Sequence, residues 1–208
     1  MTARASIRQQ VQRVREEAIV GAVNRLLSLK GYDAMTVDEV AAEAGMAKAS
    51  LYKLFPSKED LAAAAMVAAL DRALAFVDGL NEQASRAPVA TLAIAQLKAV
   101  VRWAMQTQLE GEMPSLPSQN SSLSASLQLN DQYMDRLVAL STKLGTWVAD
   151  AQARGQLNSA FPAELVLYTL FARACDPVVT MLKSSGQYTH EQILDWVTAS
   201  TFEGLAAR

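Results

Sequence analysis

Cysteine and histidine are almost absent from this chain of 208 residues, which contains one of each, Cys175 and His190. One Cys excludes an intramolecular disulfide. A zinc site built from Cys and His is excluded too, because such sites need several of these ligands. A Ser-His-Asp or Cys-His catalytic group would have to use His190 and nothing else. We find no constellation of acid, base and nucleophile, so we predict a protein that is not an enzyme and that has no metal and no cofactor.

Long apolar runs are also missing. The longest, Leu61–Leu70, has ten residues, six of which are Ala. It is too short to span a bilayer. The N-terminal residues carry charge but lack the apolar core of a signal sequence, so we expect a cytoplasmic protein that does not bind membranes. The hydrophobic fraction of 51% and the charged fraction of 19% are typical of a globular protein.

Basic charge is scarce overall, and the net charge is −2. Residues 1–58, however, hold nine Lys and Arg against six Asp and Glu, whereas residues 59–208 hold ten against fifteen. A basic segment on an acidic body is compatible with a small module that contacts DNA.

Aromatic residues make up only 6% of the chain, while Ala occurs 37 times and apolar residues recur every three or four positions. This pattern predicts an all-α fold. Capping boxes are expected at Thr36 with Glu39 and at Thr189 with Gln192. Ser57 should cap the fourth helix, which should reach about Asp78, and the fifth helix should open at Pro88. Pro177 should kink the helix that follows Pro162, leaving Arg173–Asp176 irregular.

Residues 36–55, TVDEVAAEAGMAKASLYKLF, predict two short helices joined by a tight turn at Gly45. Gly can take a positive φ at such a turn without Cβ strain. The two helices can share a core that consists of Val40, Ala44, Met46, Leu51 and Leu54. The other face of the second of these helices then shows Lys48, Ala49, Ser50, Tyr52 and Lys53. This helix is short, polar and slender enough to enter a DNA major groove. This is the pattern of a helix-turn-helix.

The longer segment 31–61, GYDAMTVDEVAAEAGMAKASLYKLFPSKEDL, resembles the DNA-binding segment of TetR-type transcriptional repressors. The Gly31-Tyr32 pair, the Ala44-Gly45 turn, the Leu51-Tyr52 pair and the string from Phe55 to Glu59 carry the likeness. The resemblance implies a three-helix DNA-binding domain over residues 1–56 and a larger helical ligand-binding and dimerisation domain over residues 57–208. It also implies a homodimer, a double-stranded DNA operator and a small molecule that lowers operator affinity.

The candidate DNA contacts lie at the start of the helix before Gly45, on the helix after Gly45, and at the start of the fourth helix of the chain. They are Thr36, Lys48, Ala49, Ser50, Tyr52, Lys53 and Lys58. By resemblance, Tyr52 and Lys58 face phosphate groups. Ala47 departs from the family pattern, which has a capping Ser or Thr there, and Ala49 stands where Gly is common. The alternatives are a motif that serves packing alone, a half-buried structural Tyr52 and a merely solvated Lys58.

The stretch Phe161–Ser184 is apolar nearly all round its helical circumference. Such a helix needs partners on both faces, so we expect it to form a dimer interface together with the last helix. The alternative is that the core of one monomer buries everything.

Large side chains cluster on the helices that should surround a cavity in the Ala-rich body. The candidate ligand-binding residues are Met66, Trp103, Met105, Met134, Trp147, Tyr168 and Phe171. Plain core packing is the alternative for each of them. As a set they favour an apolar or aromatic ligand.

These observations predict a ligand-responsive repressor that binds a near-palindromic operator as a dimer. Two alternatives stay open at this point. One is an architectural DNA-binding protein without ligand control. The other is an all-α small-molecule-binding protein or enzyme that carries a helix-turn-helix.

Overall fold

The computed structural model describes residues 3–86, 93–118 and 120–204, and every element within these ranges is helical. The all-α prediction is confirmed. In chain order the elements are α1 (Ala3–Ala34), α2 (Val37–Glu43), α3 (Lys48–Leu54), α4 (Lys58–Arg86), α5 (Ala93–Leu109), α6 (Ser122–Gln128), α7 (Asp131–Ala153), α8 (Ala163–Ala172), the 3₁₀ turn η1 (Arg173–Cys175), α9 (Pro177–Ser184) and α10 (His190–Glu203).

The chain divides into two compact units. Taken over the described residues of each range, unit 1 comprises Met1–Ala69 with Pro114–Met134, and unit 2 comprises Leu70–Met113 with Asp135–Arg208. Unit 1 thus contains a segment that follows α5 in the sequence. The division of function at residue 56 stays a prediction.

Unit 1 is built around an apolar core that draws on α1, α2, α3, α4 and α6. Ile19, Val23, Val40, Leu51 and Leu61 are fully buried in it. Leu123 and Leu127 of α6 join the same core, since they lie one helical turn apart and share a face. Ala44, Met46 and Leu54 pack against this core from partly exposed positions, as the sequence predicts.

Gly31 bends α1 near its end. Its φ of 76° and ψ of 174° are not helical, so a single turn of helix continues to Ala34 in a new direction. A positive φ of this kind is one that Gly adopts without Cβ strain. Met35, which follows this turn, is almost completely buried in the unit 1 core.

Unit 2 packs α5, α7, α8, α9 and α10 around a second core, which includes Leu97, Met105, Leu144, Val179 and Ile193. The predicted break near Pro177 is confirmed. The chain turns through η1, and Asp176 then caps α9 by accepting a hydrogen bond from the Val178 N–H at 2.9 Å. Arg173 pairs with Asp176, and the Asp176 side chain is buried.

The predicted end of the fourth helix near Asp78 is wrong. Helix α4 continues through Gly79 to Arg86. An isolated Gly costs a helix only about 1 kcal/mol. Packing outweighs this cost, because Val77 is buried in the unit 2 core and Leu80 packs against that core. The predicted start of the fifth helix at Pro88 lies outside the described residues.

Candidate DNA-binding surface

Helices α2 and α3 are joined by the tight turn that the sequence predicts. Gly45 has a φ of 65°. Its N–H donates to the Ala42 carbonyl at 3.2 Å, and the Met46 N–H donates to the Ala41 carbonyl at 2.9 Å. These bonds satisfy the carbonyls at the end of α2 and turn the chain into α3 within a few residues.

The start of α2 is fixed by the predicted capping box. The Glu39 N–H donates to Thr36 Oγ1 at 3.3 Å, and the Thr36 N–H donates to Glu39 Oε2 at 2.9 Å. Lys30 on α1 also donates to the Glu39 carboxylate. The bond from Lys30, followed by those from Thr36, lowers the pKa of Glu39 to about 2. Thr36, a candidate DNA contact, is therefore held in place by its role as the cap.

Helix α3 presents one face to the core and the opposite face to solvent. Leu51 is fully buried, whereas Lys48, Ala49, Ser50, Tyr52 and Lys53 are exposed. Ala47 stands at the N-cap and supplies no side-chain hydrogen bond, as its departure from the family pattern implies. All of the candidate contacts on α3 are therefore accessible from one side of unit 1.

Lys48 is paired, which the sequence did not predict. Its Nζ lies 2.9 Å from Oδ1 of Asp38 on α2. This hydrogen-bonded ion pair raises the pKa of Lys48. Both side chains are largely exposed, so DNA phosphate can compete for the ammonium group. Asp38 would then lie beside the bound DNA as an uncompensated negative charge.

The start of α4 is anchored to α1. Ser57 caps the helix by accepting a hydrogen bond from the Asp60 N–H at 3.0 Å. The Lys58 ammonium lies 4.3 Å from the centre of the Tyr32 ring and 3.5 Å from the Asp33 carbonyl oxygen. A cation–π contact of this kind limits the positions that the Lys58 side chain can take.

A hydrogen-bonded chain connects the same region to α6. The Tyr32 hydroxyl lies 3.1 Å from Ser122 Oγ, which donates to Glu59 Oε1 at 2.7 Å. The bond from Ser122, and secondly that with Tyr32, lowers the pKa of Glu59. Burial is the main reason that the pKa of Tyr32 is raised. Ser122 lies about sixty residues beyond Glu59, so no local signal in the sequence pointed to this contact.

The candidate ligand-binding residues fall into both units. Trp103, Met105, Trp147 and Phe171 belong to or pack against the core of unit 2, and the Trp103 ring stacks on that of Phe76 at 5.1 Å between centroids. Met66 is buried in the core of unit 1.

The other two candidates are more accessible. Met134, at the end of unit 1, is partly buried. Tyr168 in unit 2 is 68% exposed. Five of the seven candidates therefore lie in unit 2, and four of these five belong to or pack against its core. Their role in ligand binding stays a prediction.

Residues 19–65, which include α2, α3 and the start of α4, match the family model described as bacterial regulatory proteins, tetR family. This segment is a TetR-family domain. Uncharacterised HTH-type transcriptional regulators of Mycobacterium tuberculosis and Mycobacterium bovis are 45% identical to the chain over 53 residues. The match spans about a quarter of the chain and about a quarter of the length of those relatives, 26% in each case.

The fold extends the likeness over nearly the whole chain. The fatty acid degradation regulator FadR of Bacillus halodurans superposes with a TM-score of 0.64 at 19% identity, covering 93% of this chain and 97% of its own. FadR of Bacillus subtilis in complex with stearoyl-CoA gives 0.63 at 16% identity, with coverages of 91% and 99%. AibR in complex with isovaleryl coenzyme A and operator DNA gives 0.53 at 20% identity, with coverages of 90% and 98%. At these identities the likeness shows a shared fold and does not identify a ligand.

Proposed function

We propose that this protein is a ligand-responsive transcriptional repressor that acts in the cytoplasm. The observation that carries the proposal is the exposed polar face of α3, which is presented beside the capped start of α2 and the anchored Lys58. In a helix-turn-helix protein the second helix enters the major groove. Thr36, Tyr52, Lys53 and Lys58 then contact the DNA backbone, and Lys48, Ala49 and Ser50 lie nearest to the base edges.

A homodimer would bind a near-palindromic operator, because each protomer contributes one α3. Support for the dimer comes from unit 2, where large apolar side chains on α8, α9 and α10 are exposed. They are Leu165, Tyr168, Val178, Met181 and Trp196. A second copy that covers this face would bury them in a helical interface.

The same surface accounts for the strongly apolar composition of Ala163–Ser184. By length and composition alone this stretch is apolar enough to cross a membrane, with a mean hydropathy of 1.5. The η1 turn and the buried Asp176 interrupt it, however. We interpret its apolar character as that of a dimer interface.

The effector would be a small molecule with an apolar or aromatic part, bound among the large side chains of unit 2. Trp103, Met105, Trp147 and Phe171 form an environment that suits such a group. The stearoyl-CoA complex of the Bacillus subtilis neighbour and the isovaleryl coenzyme A complex of AibR make acyl thioesters the first compounds to test.

Operator binding is tested by comparing wild type with Lys58→Ala and with Tyr52→Phe on DNA selected by the protein. Lys58→Ala should weaken binding about equally on all sequences and reduce the salt slope of log K by about one unit per protomer. Tyr52→Phe should weaken binding by loss of a phosphate hydrogen bond. Unchanged affinity in the double variant would show that this face does not dock on DNA.

Effector binding is tested by titrating the DNA complex with acyl thioesters while following tryptophan fluorescence and DNA release together. Because coupling between two sites is reciprocal, a ligand that releases DNA must itself bind less tightly to the DNA complex. The change in tryptophan fluorescence and the release of DNA should therefore have the same midpoint in ligand concentration. DNA binding that no apolar ligand affects would favour an architectural protein instead.

A further inference from the structure

A shallow groove of about 420 Å³ lies between α1 and the helix-turn-helix. Its described lining residues come from α1, from the turn before α3 and from α3 itself. They are Val11, Gln12, Arg15, Met46, Ser50, Lys53 and Leu54. Ser50 and Lys53 are also candidate DNA contacts, so the groove continues the surface that would face DNA.

The chemistry of the groove combines an apolar floor with cationic edges. Met46 and Leu54 are partly buried against the unit 1 core, and Val11 on α1 is 46% exposed. Arg15 supplies a guanidinium from α1, and Lys53 supplies an ammonium from α3. The described lining residues include no carboxylate. Two cations beside apolar surface complement an anionic chain that also carries nonpolar faces, which is the chemistry of a sugar–phosphate backbone.

We propose that this groove binds the sugar–phosphate backbone of one DNA strand next to the bases approached by α3, with Arg15 as a phosphate contact. The inference rests on the proposed function and adds α1 to the DNA-binding surface. Arg15 and Val11 lie on one face of α1 because they are four residues apart. Arg15 and Lys53 then hold the strand from two sides, while deoxyribose packs on Val11, Met46 and Leu54.

Helix α1 itself provides a matched control. Arg13 lies two positions from Arg15, is largely exposed, and pairs with Glu17 at 3.0 Å. Removal of Arg13 deletes the same charge from the same helix and also leaves Glu17 without this partner. A purely long-range electrostatic effect therefore predicts that Arg13→Ala weakens DNA binding at least as much as Arg15→Ala. A contact in the groove predicts a loss for Arg15→Ala alone.

The experiment measures the affinity of wild type, Arg15→Ala, Arg15→Lys and Arg13→Ala for the selected operator between 50 and 200 mM salt. Arg15→Ala should reduce the slope of log K against log salt concentration by about 0.9 per protomer. Raising the salt from 50 to 200 mM should therefore lower the affinity of wild type by about 3.5-fold more per protomer than that of Arg15→Ala. Arg15→Lys should keep the slope, because it keeps the charge. Arg13→Ala should match wild type. Thermal melting should be unchanged in all variants, since both side chains are exposed.

Equal losses in Arg15→Ala and Arg13→Ala would overturn the inference, and so would no loss in either. An altered oligomeric state of Arg15→Ala in light scattering would also overturn it, because the groove would then bind a second copy. In these cases the wild type still binds its operator, and the proposed function stands. If the wild type selects no DNA, the proposed function fails and the inference fails with it.

Discussion

Replacing Leu123 by Ala tests whether α6 is part of unit 1, the unit that we propose binds DNA. Leu123 is fully buried in the core of unit 1, with the residues of α1, α2 and α3. A buried Leu→Ala change costs about 2–5 kcal/mol, because apolar contacts are lost and a cavity remains. In a unit of this size each kcal/mol lowers the melting temperature by about 4–8 °C. A drop of about 8–40 °C is therefore expected for unit 1.

Two spectroscopic signals separate the units. The three Trp residues, Trp103, Trp147 and Trp196, all lie in unit 2. Tryptophan fluorescence therefore follows unit 2, whereas far-ultraviolet circular dichroism follows the helices of both units. In Leu123→Ala the helical signal should begin to fall well before the fluorescence changes, and operator binding should be lost with the first transition.

Leu129 provides the control for this measurement. It lies six residues further along and is 85% exposed, so Leu129→Ala should melt like wild type. A Leu123→Ala variant whose two signals shift together by the same amount would contradict the assignment of α6 to unit 1. So would a variant with unchanged stability.

Three further predictions concern charge and assembly. Asp38→Asn should tighten operator binding by up to about fivefold and steepen its salt slope, because it releases Lys48 and removes a negative charge beside the DNA; weaker binding would contradict this role. The lowered pKa of Glu39 means that its stabilising effect is present above about pH 4.5 and is lost as the pH falls towards 2. Glu39→Gln, which can keep the capping box, should therefore show a flatter dependence of unfolding free energy on pH in this window, and an identical dependence would refute the assignment. Trp196→Glu should give monomers in light scattering, since Trp196 is about half exposed on the apolar face of unit 2, and an intact dimer would place the interface elsewhere.

Features fixed by neighbouring residues could be predicted from the sequence. Both capping boxes formed, because Thr36 and Glu39, like Thr189 and Gln192, are three residues apart and need only each other. The turn at Gly45 depends on one residue that tolerates a positive φ. The break at Pro177 follows from a missing N–H, whatever the surroundings.

Features that depend on distant residues could not be predicted. The place of Leu123 in the unit 1 core results from packing between segments about a hundred residues apart. The contact between the Lys58 ammonium and the Tyr32 ring depends on how helices pack against each other, and so does the ion pair between Lys48 and Asp38. The predicted helix end before Gly79 was wrong, because the burial of Val77 and the packing of Leu80 on the unit 2 core hold the helix together there.

The exposed face of α3 is the surface that we propose reads operator DNA. Selection of bound sequences from a random pool of double-stranded DNA, with the wild-type protein and with Ser50→Ala, tests this role. The wild type should enrich a near-palindrome with two half-sites about one helical turn apart, and Ser50→Ala should change the preferred bases at the same positions in both halves. If the wild type enriched no sequence, α3 would not read DNA. The same conclusion would follow if the wild type and Ser50→Ala enriched the same sequence.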